Sequence, residues 1–184
     1  PGLDAAVRSM PYWPSHRLVV LSRLPDTTRT RMRHLAESLG VHERISYRPG
    51  LRGQHRARVW ENAALLLAGR DGARHGGFVL EAASHGVAAL AVATGAHLDH
   101  IVAGATGALI DVDRGPRALG RAMRELLADP LRCGGLGAGA GVRLQALHEQ
   151  PALGARVLNV YRDVLADPQP EERSTPMLTP ERRV

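Results

Sequence analysis

The sequence predicts an α/β fold built on a doubly wound, mostly parallel sheet. Three observations carry that expectation. Short apolar runs without charge recur along the chain, as in LVVL (18–21), ALLLAG (64–69) and VAALAVA (87–93), and each suits a strand buried on both faces. Segments of about 10 to 15 residues with helical apolar spacing separate them. Gly and Pro punctuate the junctions, and strand-helix alternation of this kind implies right-handed crossovers between parallel strands.

Taken in order, GLDAAVRSM has helical spacing at Leu3, Ala6, Val7 and Met10, and RLVVLSRLP (17–25) reads as the first strand, ended by Pro25. Asp26 or Thr27 can cap a helix with Met32, Leu35, Ala36 and Leu39 on one face and Gly40 as its stop. RISYRP is a short strand, GQHRARVWENA a helix with Val59 and Trp60 inward, and ALLLAG a strand. The stretch RDGARHGGFVLEAASHG (70–86) supplies a loop and a helix.

VAALAVA is the next strand, followed by a polar loop TGAHLDH, a turn at GATG and a last short strand ALIDV. Pro116 suits the first turn of a helix carrying Leu119, Met123, Leu126 and Leu127 that stops at Asp129-Pro130. Two further helices are predicted, over about 131–150 and 151–165. One Rossmann-like domain over 1–166 results, with a Pro- and charge-rich tail over 167–184 expected to be disordered.

Composition narrows the function. The chain has 184 residues, a formal charge of +6 and 24 basic residues, all of them Arg. Cys133 is the single cysteine, which excludes an intrachain disulfide and a cysteine-built zinc site, so a cytoplasmic setting is the default expectation. No apolar stretch approaches the roughly 18 residues of a membrane span. The first residue is Pro1 rather than Met, as in a piece of a longer protein. The arginines of RTRMRH and RGQHRARVW fall on polar helix faces, so no nucleic-acid partner is expected.

The loop at 70–86 draws the functional reading. It follows a strand, where a doubly wound sheet binds ligands beyond its carboxyl ends. Gly76 and Gly77 stand before an apolar helix, leaving its free N–H groups and positive dipole end open to a phosphate, and Arg70, Arg74 or His75 could add charge. Glu81 sits one turn inside that helix among Phe78, Val79, Leu80, Ala82 and Ala83. A carboxylate there needs a partner. Two ribose hydroxyls would serve, and so would an Arg of the chain itself or solvent at the helix edge.

Two other patterns carry less. GLGAGA (135–140) matches a dinucleotide fingerprint, but it follows a helix rather than a strand and reads as small residues in a packed helix. His97, Asp99 and His100, with His85 nearby in sequence, have only loose metal-ligand spacing and read as scattered surface groups.

RDGARHGGFVLEAASHGVAALAVA resembles the nucleotide-sugar motif of the retaining glycosyltransferases of GT-B fold, group 1 and family four, in which a Glu-Gly-Phe-Gly loop leads to a second Glu. The resemblance extends over GLDAAVRSM and HRLVVLSRLP, over ISYRPGL and VWENAALLLAG, and over HIVAGATGALIDVDRGPRALGRAMRELLADP, covering 1 to about 165. It implies the C-terminal, donor-binding half of such an enzyme. The reaction it implies transfers a hexosyl group from a UDP- or GDP-hexose to a hydroxyl acceptor held by an N-terminal domain, with no metal cofactor.

Position by position, the resemblance puts Glu81 on the ribose, Gly76 and its neighbour Gly77 at the diphosphate, and Gly95 of TGAHLDH on the donor through its backbone. Arg70 or Arg74 would replace a lost phosphate-binding cation. Ala73 stands where the family has its first Glu and Pro1 where it has a Lys, so no catalytic residue is assigned. Those departures also fit a degenerate, non-catalytic domain that serves as a binding or assembly module.

Overall fold

The computed structural model describes residues 2–70, 76–111, 114–148 and 150–166, without the side chains of 148 and 150–153. Two compact units emerge, Pro1–Leu147 and His148–Val184. The predicted tail over 167–184 lies outside the described residues.

In the first unit the helices are α1 (Leu3–Ser9), α2 (Asp26–Ser38), α3 (Gly53–Glu61), α4 (Gly77–Ser84), α5 (Ala96–His100), α6 (Gly115–Leu127) and α7 (Pro130–His148). The strands are β1 (Leu18–Val20), β2 (Ile45–Tyr47), β3 (Leu66–Ala68), β4 (Ala89–Val92) and β5 (Gly107–Ile110). The second unit contains α8 (Gln150–Ala166).

Among the described residues all strand pairs are parallel: β1 with β2, then β3 with β4 and β4 with β5. Along β4 the side chains alternate between two cores. Leu90 joins Val7, Met32, Leu119, Met123 and Leu136 from α1, α2, α6 and α7. Ala89 and Ala91 join Val79 of α4 on the opposite face, where Trp60 of α3 also packs with Ala82. Helices therefore cover both faces, which is the doubly wound arrangement, and β4 is buried along its whole length, as its unbroken apolar run requires.

Four local expectations need correction. TGAHLDH is not a loop throughout, because Gly95 opens a single helical turn, α5. Pro25 rather than Asp26 or Thr27 is the N-cap of α2, and Asp26 instead pairs with Arg29 at 3.1 Å in the first turn. Val19, expected to be buried, is 42% exposed, since among the described residues β1 has a strand neighbour on one side only. His97 is fully buried and not on the surface.

The GLGAGA stretch lies inside α7, as its position after a helix stop suggests. A side chain at Gly137 would run into the carbonyl of Gly86, and one at Gly139 into that of Ala105. The small residues thus let α7 lie directly on the loops after α4 and before β5.

Candidate ligand site at the carboxyl ends of β3 and β4

Strand β3 ends at Ala68, and Gly69 and the exposed Arg70 follow. Arg74, with the rest of 71–75, lies outside the described residues. The chain is described again at Gly76, the N-cap of α4, whose φ of +60° is in the left-handed region. Its carbonyl takes the N–H groups of Val79 at 2.9 Å and Leu80 at 3.0 Å. The N–H groups of Gly77 and Phe78, which precede them in the first turn, have no intrahelical acceptor.

Gly76 is fixed for a second reason. A Cβ there would collide with the His100 ring and would stand 3.4 Å from the Ala96 Cβ. The start of α4 is therefore pressed against α5. Gly95, the N-cap of α5, has φ +51° and ψ −142°, a combination that only glycine adopts readily. Gly76 and Gly95 thus place the beginnings of two helices side by side beyond β3 and β4.

Glu81 lies one turn further along α4, half-buried. Its two carboxylate oxygens accept hydrogen bonds from Nε and Nη2 of Arg56, and Oε1 also accepts one from Trp60 Nε1 at 2.8 Å. Arg56 and Trp60 are four residues apart on α3, so one helix face delivers both donors. The guanidinium also lies over the Phe78 ring, 5.3 Å from its centroid. The Arg56 hydrogen bonds hold the Glu81 carboxyl below its ordinary range, and the same pairing raises Arg56.

The partner that Glu81 needs is thus supplied by the chain itself, as one of the readings open at sequence level allowed. Arg56 was not singled out there, although its spacing of one helical turn from the inward-facing Trp60 was visible. A carboxylate accepts at about four lone-pair positions. Three are taken.

His97 sits at the neighbouring end of β4. Its Nδ1 donates to the Val92 carbonyl at 2.9 Å, because a carbonyl can only accept. In the neutral ring Nε2 is then an acceptor, and it is buried without a partner among the described residues. No group of three His, Cys, Asp or Glu suited to a metal ion occurs among those residues. No helix among them is long and apolar enough to cross a membrane.

No protein-family model and no curated protein matches the chain. Its fold does match solved glycosyltransferase structures. Sucrose-phosphate synthase from Thermosynechococcus elongatus superimposes with a TM-score of 0.78 at 23% identity, over 90% of this chain and 42% of that one. HepE from Anabaena, in complex with UDP, gives 0.76 at 11% identity, over 88% of this chain and 45% of that one. The C-terminal domain of the glycosyl transferase group 1 family protein LpcC from Francisella tularensis gives 0.64 at 16% identity, over 78% of this chain and 75% of that one. The chain spans less than half the length of the first two. At such identities the likeness establishes the fold, which is the Rossmann-like one of GT-B glycosyltransferases.

Proposed function

We propose that this chain is the nucleotide-sugar-binding half of a retaining glycosyltransferase that transfers a hexosyl group to a hydroxyl acceptor. The observation that carries the reading is the junction of Gly76 with α5. It puts the N–H groups of Gly77 and Phe78 at a helix start beyond β3, where a parallel sheet receives ligands. HepE, of the same fold, is found with UDP and with UDP-glucose, which supports a nucleotide diphosphate as the guest.

In this reading the diphosphate lies against the amides of Gly77 and Phe78, with the backbone at Gly95 beside the donor sugar and Arg70 or Arg74 adding charge. Those donors would also stabilise the diphosphate as it leaves, so no metal is required. Glu81 takes the ribose hydroxyls, for which Arg56 must give way. Acceptor binding belongs to a second domain outside this chain, and the setting is cytoplasmic. The domain itself extends over 1–166, followed by the tail over 167–184.

Occupation of Glu81 by Arg56 and Trp60 favours a second reading, in which the fold persists as a non-catalytic binding or assembly module. Amide NMR separates the two. Added UDP-glucose should shift the Gly77 and Phe78 resonances in a saturable manner under the first reading. Under the second they stay fixed while the spectrum remains that of a folded protein.

A further inference from the structure

His97 is fully buried, yet one of its ring nitrogens has nothing to bond to among the described residues. The residue is held from two sides. Its backbone N–H donates to the Thr94 carbonyl at 3.2 Å in the turn that Gly95 opens. Its Nδ1 donates to the carbonyl of Val92, the last residue of β4, at 2.9 Å. That second bond sets the tautomer, since a carbonyl oxygen only accepts. In the neutral ring Nε2 therefore keeps a lone pair and no hydrogen. An acceptor buried without a donor weakens the fold, and in native structures such a group calls for a specific explanation, a ligand included.

The position of the ring supplies one. His97 lines a cavity of about 510 Å³ together with Gly69 and Phe78. Gly69 follows β3, and Phe78 lies in the first turn of α4, where its amide is one of those proposed for the diphosphate. His97 itself stands two residues after Gly95, beside which the donor sugar is proposed to lie. The neighbouring side chains of α5 turn elsewhere. Ala96 and His100, one helical turn apart, are the groups that a Cβ at Gly76 would meet, so they press on the start of α4. His97 falls on another face of the same turn, and that face is left to the cavity.

Nε2 also discriminates among the parts of a nucleotide sugar. Ionised phosphate oxygens only accept hydrogen bonds, so a lone pair repels them. A sugar hydroxyl donates. The amides at the start of α4 have the opposite preference and suit the diphosphate. The two ends of the site thus ask for the two ends of one ligand, an anion on one side and a hydroxyl-bearing ring on the other.

We propose that His97 is a specificity-determining residue of the nucleotide-sugar site, with Nε2 accepting a hydrogen bond from one hydroxyl of the donor hexose. The inference rests on the donor-site reading and adds the group that recognises the sugar. A site of this kind rejects an analogue lacking the hydroxyl far more strongly than an apolar pocket rejects a missing methylene, because the buried acceptor is then left unpaired.

Nitrogen-15 NMR of the histidine ring tests this on the unaltered chain. Without ligand, the His97 Nε2 resonance should be that of a nitrogen carrying no proton. UDP-glucose, UDP-galactose or GDP-mannose should move it toward the position of a hydrogen-bonded acceptor, and UDP or GDP alone should not. Calorimetry on the same chain gives a second readout. Replacing the hexose hydroxyls of the bound conjugate by hydrogen, one position at a time, should weaken binding by about tenfold or more at one position. In His97→Phe the complete sugar and that deoxy sugar should bind alike, and a variant that fails to fold leaves the other two readouts to decide. Nucleotide binding with an Nε2 that carries a proton at the outset, or that does not respond to the sugar, overturns the role of His97 and leaves the donor site standing. A folded chain that binds none of these nucleotides or conjugates overturns both.

Discussion

Arg56 of α3 engages both carboxylate oxygens of Glu81 on α4, so the carboxylate of the candidate site is held by a fork from the chain itself. The pair is about three-quarters removed from solvent, with side-chain exposures of 26% and 27%. A bidentate pair of this kind is stronger and more directional than an exposed ion pair. It ties α3 to α4 across the face that Trp60 helps to fill.

If Glu81 takes the ribose as proposed, Arg56→Gln should tighten UDP binding, because the hydroxyls would compete with the guanidinium for the same oxygens. A gain of about tenfold corresponds to ~1.4 kcal/mol, readable by calorimetry against the unaltered chain. A loss of affinity would instead make Arg56 a group that holds Glu81 in place for the ligand.

The same pair sets an acid dependence. The pairing with Arg56 lowers the Glu81 pKa in the folded chain, so its contribution to stability is complete above the unfolded carboxyl value of about 4.3. It fades as pH falls through the lower, folded value, where the unfolded chain binds the additional proton. Urea midpoints should drop more steeply between about pH 5 and 3 in the parent than in Glu81→Gln.

Gly76→Ala and Gly77→Ala should differ in kind. At Gly76 a methyl group combines a positive φ with collision against His100, and a cost of about 1–3 kcal/mol is expected. At Gly77 the added Cβ meets nothing within 4 Å, so stability should change by no more than about 0.5 kcal/mol. Thermal or urea unfolding of both variants checks the contrast.

Helix α7 offers a parallel test. Gly137→Ala drives a Cβ into the Gly86 carbonyl, whereas Gly134→Ala and Gly135→Ala point into open space. The first should destabilise by about 1–3 kcal/mol as other overpacked sites do. The other two should stabilise by up to ~1 kcal/mol through helix propensity.

Much of the layout was legible in the sequence, because unbroken apolar runs and helical periodicity depend on local pattern. Strand β4, helix α6 with Pro116 in its first turn, and the placing of GLGAGA inside a helix follow from such signals. The boundaries that failed depend on tertiary context. TGAHLDH becomes a helical turn because it packs on the start of α4 and buries His97 against Val92, which no local periodicity encodes.

The site was legible in part for the same reason. Gly76, Gly77, Gly95 and Glu81 stand out by residue type against apolar or polar surroundings. Arg56 does not, since in RGQHRARVW it is one of several arginines on a helix. Its selection depends on how α3 sits against α4.

The most direct measurement is calorimetric titration of the folded chain with UDP, GDP and their hexose conjugates, run beside Glu81→Ala. Saturable binding of at least one of them that is lost or greatly weakened in the variant, with the fold intact, is the predicted result. Heats no greater than dilution for all of them, from a chain shown by its spectrum to be folded, would contradict the donor-site account and leave the non-catalytic module as the reading of this fold.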